Sequence, residues 1–363
     1  MIDVERKSSI SNQTALQRTN EQLLSAANGE QVNMYTRPPA YMQSLHWQGS
    51  SSGTTLSSGL QCDRNLRSRQ TASTAGGCGS EVFGLFRGIM VRFAVTLVRH
   101  GETRYNKERL LQGQGIDEPL SEMGFRQANA AGRFLNGVRF THVFSSDLIR
   151  AKQTAATILG ESRMCKDHKI NLDARLRERK YGVAEGKPLS ELKTRAKAAG
   201  QQCPKYTPPG GETLEEVKAR AKDFFEFLCQ LALEEKCVGG EAGLETGNGF
   251  VSYTATTFSS ENHGSAPDFD PDAGSDDIML DASILVVSHG AFLRIWIKYF
   301  LDDLQCAVPS TLKRSRELSV SPNTGISHFI VKLEREETVK PQITCVCINR
   351  HDHLLEVEPG ADV

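Results

Sequence analysis

The chain has 363 residues, enough for one large domain or two modest ones, and 39% of them are hydrophobic. A formal net charge of -1 at pH 7 gives no general attraction to nucleic acid or anionic membranes, so affinity for phosphate has to come from local clusters of Arg and Lys. No run of apolar residues is long enough to span a bilayer, and nine irregularly spaced cysteines without a Cys-x-x-Cys pair fit a reducing, cytoplasmic setting.

Residues 1–89 are rich in Ser, Thr, Gln, Asn and Gly without sustained periodicity, which predicts a disordered extension. They contain no apolar signal-peptide core, and Asp3 and Glu5 argue against a mitochondrial presequence. Met90 lies just before the first clear strand, the apolar run Phe93 to Val98. That run ends in Arg99-His100-Gly101-Glu102, at the strand end where open α/β sheets place ligands.

A strand–helix alternation follows. Ser121 is an N-cap for a helix carrying Phe125, Ala128, Ala131 and Leu135. Val143-Phe144 reads as a strand leading into Ser145-Ser146-Asp147, a cap signal for a helix from about Leu148. Thr213 and Glu216 form a capping box, opening a helix with Leu214, Val217, Ala221, Phe224, Leu228 and Leu231 on one face. Between Val238 and Ser283 stand nine Asp or Glu and no Lys or Arg. The segment reads as a long acidic insertion, either a solvated loop or a flap beside the pocket. Ile284 to Val287 is a second buried strand, ending in Ser288-His289-Gly290. His328 to Leu333 and Ile343 to Ile348 are late strands, the second placing Cys345 and Cys347 on one face.

Two strands that each end in a histidine suggest one pocket holding two imidazoles. A lone histidine after a strand is usually structural, and metal ligation is the other option. Arg99 beside His100 would repel a cation, and no third His or Cys stands nearby at ligand spacing. Phosphoryl transfer fits better. It needs a nucleophile, donors for the non-bridging oxygens and an acid for the leaving group. His100 can attack phosphorus, with Arg99 and Arg150 as planar forks for phosphate oxygens. The start of the helix carrying Arg150 aims amides at an anion, and Asn106 adds an amide donor. His289 becomes a further donor, best protonated beside the phosphate dianion. Glu178, among Arg177, Arg179 and Lys180, would ordinarily ionise, but desolvation beside a phosphate dianion would let it hold a proton and donate it.

The segments Leu97 to Thr103, Ser145 to Ala151, the surroundings of Glu178, and Ser288-His289-Gly290 resemble the histidine phosphatase superfamily in order and spacing. That superfamily includes phosphoglycerate mutases and fructose-2,6-bisphosphatases. The likeness to the latter covers about residues 90 to 355, with Gln112-Gly113-Gln114-Gly115, Glu178 to Gly186 and Thr207 to Thr213. It implies an α/β fold, three-layer α/β/α with a mostly parallel central sheet. It implies His100 as phosphorylated nucleophile, Glu178 as proton donor, and His289 as a third catalytic group. Arg99, Asn106, Gln112, Gly113, Arg150, Tyr181 and Gly290 are the implied phosphate and substrate contacts, with no metal and no cofactor. The implied activity is removal of the 2-phosphate of fructose 2,6-bisphosphate, and of phosphate from fructose 1,6-bisphosphate and other small esters, restraining glycolysis. A 2,3-bisphosphoglycerate phosphatase or a phosphoglycerate mutase is the alternative within the same chemistry. An inactive scaffold binding partners through the acidic loop is the alternative outside it. The expected organisation is an extension over 1–89, a catalytic domain over 90–355 with the insertion 238–283, and a tail over 356–363. The expected partner is a small phosphorylated sugar or glycerate, with no nucleic acid and no membrane span; the sequence names no protein partner. Nuclear or mitochondrial association is a further option within the family.

Overall fold

A computed structural model describes residues 90–241, 251–253, 258, 278–310, 312, 319–335, 339–355 and 357. The described residues between Val91 and Leu333 and between Pro341 and Val357 belong to one compact unit, which holds all the predicted site residues. The predicted extension over 1–89 and most of the predicted tail lie outside the described residues.

In chain order the elements are β1 (Met90–Arg99), α1 (Arg104–Lys107), α2 (Glu122–Phe134), β2 (His142–Ser145), α3 (Ile149–Glu161), β3 (Ile170–Leu172), α4 (Leu189–Ala198), α5 (Leu214–Glu241), β4 (Val251–Tyr253), β5 (Ile278–Leu280), β6 (Ala282–Ser288), α6 (Gly290–Asp302), β7 (Ile326–Arg335) and β8 (Val339–Arg350). Six strands form one sheet in the order β3-β2-β6-β1-β7-β8. The β1–β6, β6–β2 and β2–β3 pairs are parallel. β1 and β6 are buried almost throughout, as expected of strands covered on both faces.

Side-chain alternation along the strands shows the two covers. Ala94 and Val98 of β1, Val143 of β2, Leu285 and Val287 of β6, and Ile326 and Ile330 of β7 face one cluster, which also holds Ala131, Ala151, Ala155 and Ile158 of α2 and α3. The alternate residues turn the other way. Phe144 meets Phe224 of α5 edge-on, and Phe329 meets Phe300 of α6. The result is a three-layer α/β/α sandwich.

Ser121 caps α2 as expected, accepting from the Gly124 amide. Thr213 and Glu216 form the expected reciprocal box at α5. The buried stripe of α5 is wider than the predicted one. Phe225, Cys229 and Ala232 join it, because the helix packs against both the sheet and α6, while Leu214 and Leu231 are only half-buried.

The start of α3 departs from expectation. Neither Ser145 nor Ser146 caps it. Leu148 occupies the cap position without a side-chain bond, and the Ile149 amide donates to Asp117 Oδ1 at 2.7 Å. A carboxylate of the protein thus takes the first helical amide that had been assigned to an anionic ligand. The acidic segment also begins and ends inside regular structure. α5 continues to Glu241, β4 pairs antiparallel with β5, and β6 starts at Ala282. Phe258 within it is buried and stacks on His328, ring centroids 3.8 Å apart, so an apolar side chain anchors this part of the segment. The remainder lies outside the described residues.

Candidate active site

Three neighbouring parallel strands end together. Arg99 pairs in register with Ser288, the His100 amide donates to Ser288 O at 2.9 Å, and the Ser146 amide donates to Val287 O at 3.0 Å. The ends of β1, β6 and β2 therefore deliver Arg99-His100, Ser288-His289 and Ser145-Ser146 to one place. The rings of His100 and His289 have centroids 5.1 Å apart and are tilted by 59°. Both side chains are buried.

The hydrogen bonds of His100 fix its chemistry. Its Nδ1 lies 2.7 Å from Gly101 O, and a carbonyl can only accept, so the proton sits on Nδ1 and Nε2 carries the lone pair. Burial, then Arg150, then Arg99 hold the imidazole well below its ordinary range, so it stays neutral and nucleophilic. His289 behaves likewise: burial, Arg150, His100, Arg220 and Arg99 all lower its proton affinity. The expectation of a protonated His289 is one for a ring beside a phosphate dianion, whose negative charge opposes these cations.

Arg150 is buried and Arg99 half-buried, and each is partly committed. Arg99 donates from Nη1 to Ser321 O at 2.7 Å, and its Nε is buried without a partner. Arg150 donates from Nη1 to Ile116 O and from Nη2 to Gly113 O, and its Nε is also unpartnered. Burial lowers the affinity of Arg150 for its proton to about 10. The two unpartnered N–H groups, buried in a pocket with no anion of the protein bonded to them, are donors awaiting an acceptor.

Glu178 lies on the loop after β3, tied to β6 by the Ser288 hydroxyl donating to Leu176 O at 2.7 Å. Its Oε1 accepts from the Arg179 and Phe292 amides, and Oε2 from the Ala291 amide. The basic residues beside it in sequence face elsewhere. Arg177 grips Asp147, and the guanidinium of Arg179 donates to Glu212 O, Pro204 O and Tyr206 O.

Asn106 meets Asn323, which bonds His100 O, Gly113 O accepts from Arg150, and Gly290 adjoins Arg99. The Oδ1 of Asn106 accepts from Thr103 and from Asn323 Nδ2, leaving its NH2 end as the donor for a ligand. The Oε1 of Gln112 is buried without a partner. Gly113 sits at φ +63°, and a Cβ there would strike Glu185 Oε1 at 2.1 Å. A Cβ on Gly290 would lie 2.8 Å from Val320 and 3.2 Å from Arg99 Nε, so the missing side chain makes room for that guanidinium. Tyr181 is half-buried beneath Arg179, its phenol pushed up by burial and by Glu178.

Several positioning contacts were not singled out in the sequence. Asn323 Nδ2 donates to His100 O, and Thr324 donates its amide to Arg99 O. Glu185 accepts from the Gln114, Gly115 and Tyr181 amides. Gln114 and Arg220 both donate to Glu178 O and to Glu212. Pro322-Asn323-Thr324-Gly325 carries a turn signal, but nothing local joins it to a strand more than two hundred residues away. Among the described residues, no group of His, Cys, Asp and Glu is placed to hold a metal, and no helix is long and apolar enough to cross a membrane.

A buried imidazole with a free Nε2, a second imidazole beside it and two guanidiniums, gathered where parallel strands end, make a pocket suited to phosphoryl chemistry. The family model described as "Histidine phosphatase superfamily (branch 1)" matches residues 95–238, and the chain belongs to that superfamily. It is 63% identical to fructose-2,6-bisphosphatase TIGAR of Xenopus laevis over 270 residues, covering 74% of this chain and 97% of that protein. Identity to the protein of the same name from Bos taurus is 55% over 268 residues, covering 74% and 98%. Identity to fructose-2,6-bisphosphatase TIGAR B of Danio rerio is 48% over 271 residues, covering 74% and 99%.

Proposed function

We propose that the chain hydrolyses fructose 2,6-bisphosphate at its 2-phosphate through a phosphohistidine on His100, without a metal ion, and thereby restrains glycolysis. The observation that carries the mechanism is the Nδ1–Gly101 O bond, which leaves Nε2 of His100 unprotonated among buried donors. The substrate rests on the names of relatives 55–63% identical over nearly their whole length.

In the first step the Nε2 lone pair attacks phosphorus and the bond to the sugar oxygen breaks. Glu178, in its acid form, gives its proton to the departing oxygen. Its Oε2 accepts only the Ala291 amide, which leaves a lone pair to carry that proton. Arg99 and Arg150 take the non-bridging oxygens through their unpartnered N–H groups. In the second step water attacks phosphorus, Glu178 receives a proton from it, and the P–N bond breaks to release phosphate and neutral His100. Asn106, Gln112, Gly113, Tyr181 and Gly290 shape the phosphate and sugar sites. Residues 90–355 suffice for the activity, and the free thiols of the described cysteines suit the cytoplasm.

Turnover across a panel of fructose 2,6-bisphosphate, fructose 1,6-bisphosphate and 2,3-bisphosphoglycerate tests the substrate. The expected result is the highest kcat/KM for fructose 2,6-bisphosphate, with fructose 6-phosphate and one phosphate as products. Turnover of the glycerate with neither fructose ester accepted would overturn it.

A further inference from the structure

The second imidazole poses a problem of donors. His289 is fully buried and held neutral, yet a pocket for an anion needs N–H groups rather than lone pairs facing it. A neutral imidazole has one N–H, and the bond made by one ring nitrogen decides which nitrogen carries it.

The structure places Ser146 at that decision. The hydroxyl oxygen of Ser146 lies 2.8 Å from Nε2 of His289 and accepts the Leu148 amide at 3.3 Å. Nδ1 of His289 is buried and has no partner. Two arrangements fit these positions. If Nε2–H donated to Ser146, the serine proton would have no acceptor among the contacts described, and a bare Nδ1 lone pair would be buried in the pocket. If the serine O–H donates to Nε2, the hydroxyl is satisfied as donor and acceptor, and His289 carries Nδ1–H as a donor. The second arrangement leaves nothing buried and unsatisfied once an anion binds.

We propose that Ser146 is a positioning residue whose hydroxyl donates to Nε2 of His289 and so fixes Nδ1–H as the donor to the transferring phosphoryl group. The link to phosphoryl transfer rests on the function proposed above; the tautomer itself does not. His289 is faced by Arg99 and His100 from β1, Arg150 from α3, and Arg220 from α5. Four groups that resist an extra positive charge are the reason a hydroxyl donor serves here, where an imidazolium beside a carboxylate would serve in a less cationic site. Ser146 is held for this purpose by its own backbone, with its amide on Val287 O and its carbonyl accepting the Ser145 hydroxyl at 2.9 Å.

The test uses the full chain labelled with 15N-histidine and long-range nitrogen–proton NMR at neutral pH, with Ser146→Ala and Ser146→Thr. In the wild type His289 should show a protonated Nδ1 and an unprotonated Nε2. Ser146→Ala should lose that single tautomer and slow single-turnover phosphorylation of His100 by about 10²-fold, the usual effect of losing one donor to a developing anion. Ser146→Thr, which keeps the hydroxyl, should retain the tautomer and most of the rate. A wild-type His289 protonated on Nε2 would overturn the proposal, as would Ser146→Ala with both tautomer and rate unchanged. A Ser146→Ala protein that loses its fold leaves the wild-type spectrum and Ser146→Thr to decide. Nδ1–H present in a protein that phosphorylates no histidine would refute the proposed function instead, leaving the tautomer assignment standing.

Discussion

Replacing Arg220 with Met tests how the loop of the proposed acid is held. From α5, Arg220 donates from Nη1 to Arg175 O and Arg177 O at 2.7 and 2.6 Å, and from Nη2 to Glu178 O at 3.1 Å. The same guanidinium pairs with both oxygens of Glu212 and lies 4.7 Å over the Phe292 ring. Met keeps the volume of the stem and removes all five donors. Arg175 O and Arg177 O then lose this donor, Glu178 O and Glu212 keep those from Gln114, and removing one member of a buried ion pair costs about 3–5 kcal/mol. The side chains of Arg220 and Glu212 retain 15% and 20% exposure, so water reaches the gap and the lower end, about 3 kcal/mol, is expected. Urea unfolding should show a lower midpoint with an unchanged slope. Since the loop carries Glu178, turnover of the folded variant on a sugar phosphate should fall by about 10²-fold, the scale of a 1 Å misplacement. Nitrophenyl phosphate, whose leaving group needs no proton, should suffer much less. A stability change under about 0.5 kcal/mol, too small for a lost buried partner, with equal kinetic losses on both substrates would refute this account.

Glu178→Gln should slow phosphoenzyme formation from a sugar phosphate by about 10²–10⁴-fold and from nitrophenyl phosphate far less; equal losses would mean that Glu178 only shapes the pocket. Activity should survive EDTA, because Arg99 and Arg150 supply the positive charge; loss on chelation restored by added metal would contradict this. Burial holds His100 and His289 well below their ordinary value of 6.5 and lowers His328 to about 3. Below about pH 6.5 the unfolded chain therefore binds protons that the folded chain refuses, so stability is lost on acidification, each group contributing up to about 1.4 kcal/mol per pH unit. A urea midpoint that is flat or rising from pH 7 to pH 5 would count against those burials. A chain begun at Met90 should keep its specific activity and thermal midpoint, and a large drop in either would show that residues before it belong to the folded enzyme.

The frame was legible because it is written in local patterns. Apolar runs marked β1 and β6, and Ser121 and Thr213 announced α2 and α5. The pairing of His100 with His289 followed from two strands ending alike. What escaped was long-range. Asn323 on His100 O spans 223 residues, and the Arg220–Glu212 clamp is visible only once the Glu178 loop folds over α5. The role of Ser146 was misread for a related reason. Serines before a helix usually cap it, but here Asp117 satisfies the first amide and frees Ser146 to face His289. The cations that face His289, among them Arg150 and Arg220, and the burial that lowers its proton affinity come together only in the fold. The acidic composition of residues 238–283 concealed Phe258, whose burial depends on meeting His328.

The central claim is covalent chemistry at His100. The most direct measurement is rapid quenching of the enzyme with a 32P-labelled phosphate ester, followed by peptide mapping under alkaline conditions. An acid-labile, alkali-stable phosphate should appear on His100, form and decay at rates compatible with turnover, and be absent from His100→Ala. Full turnover with no label, or with label on any other residue, would contradict it.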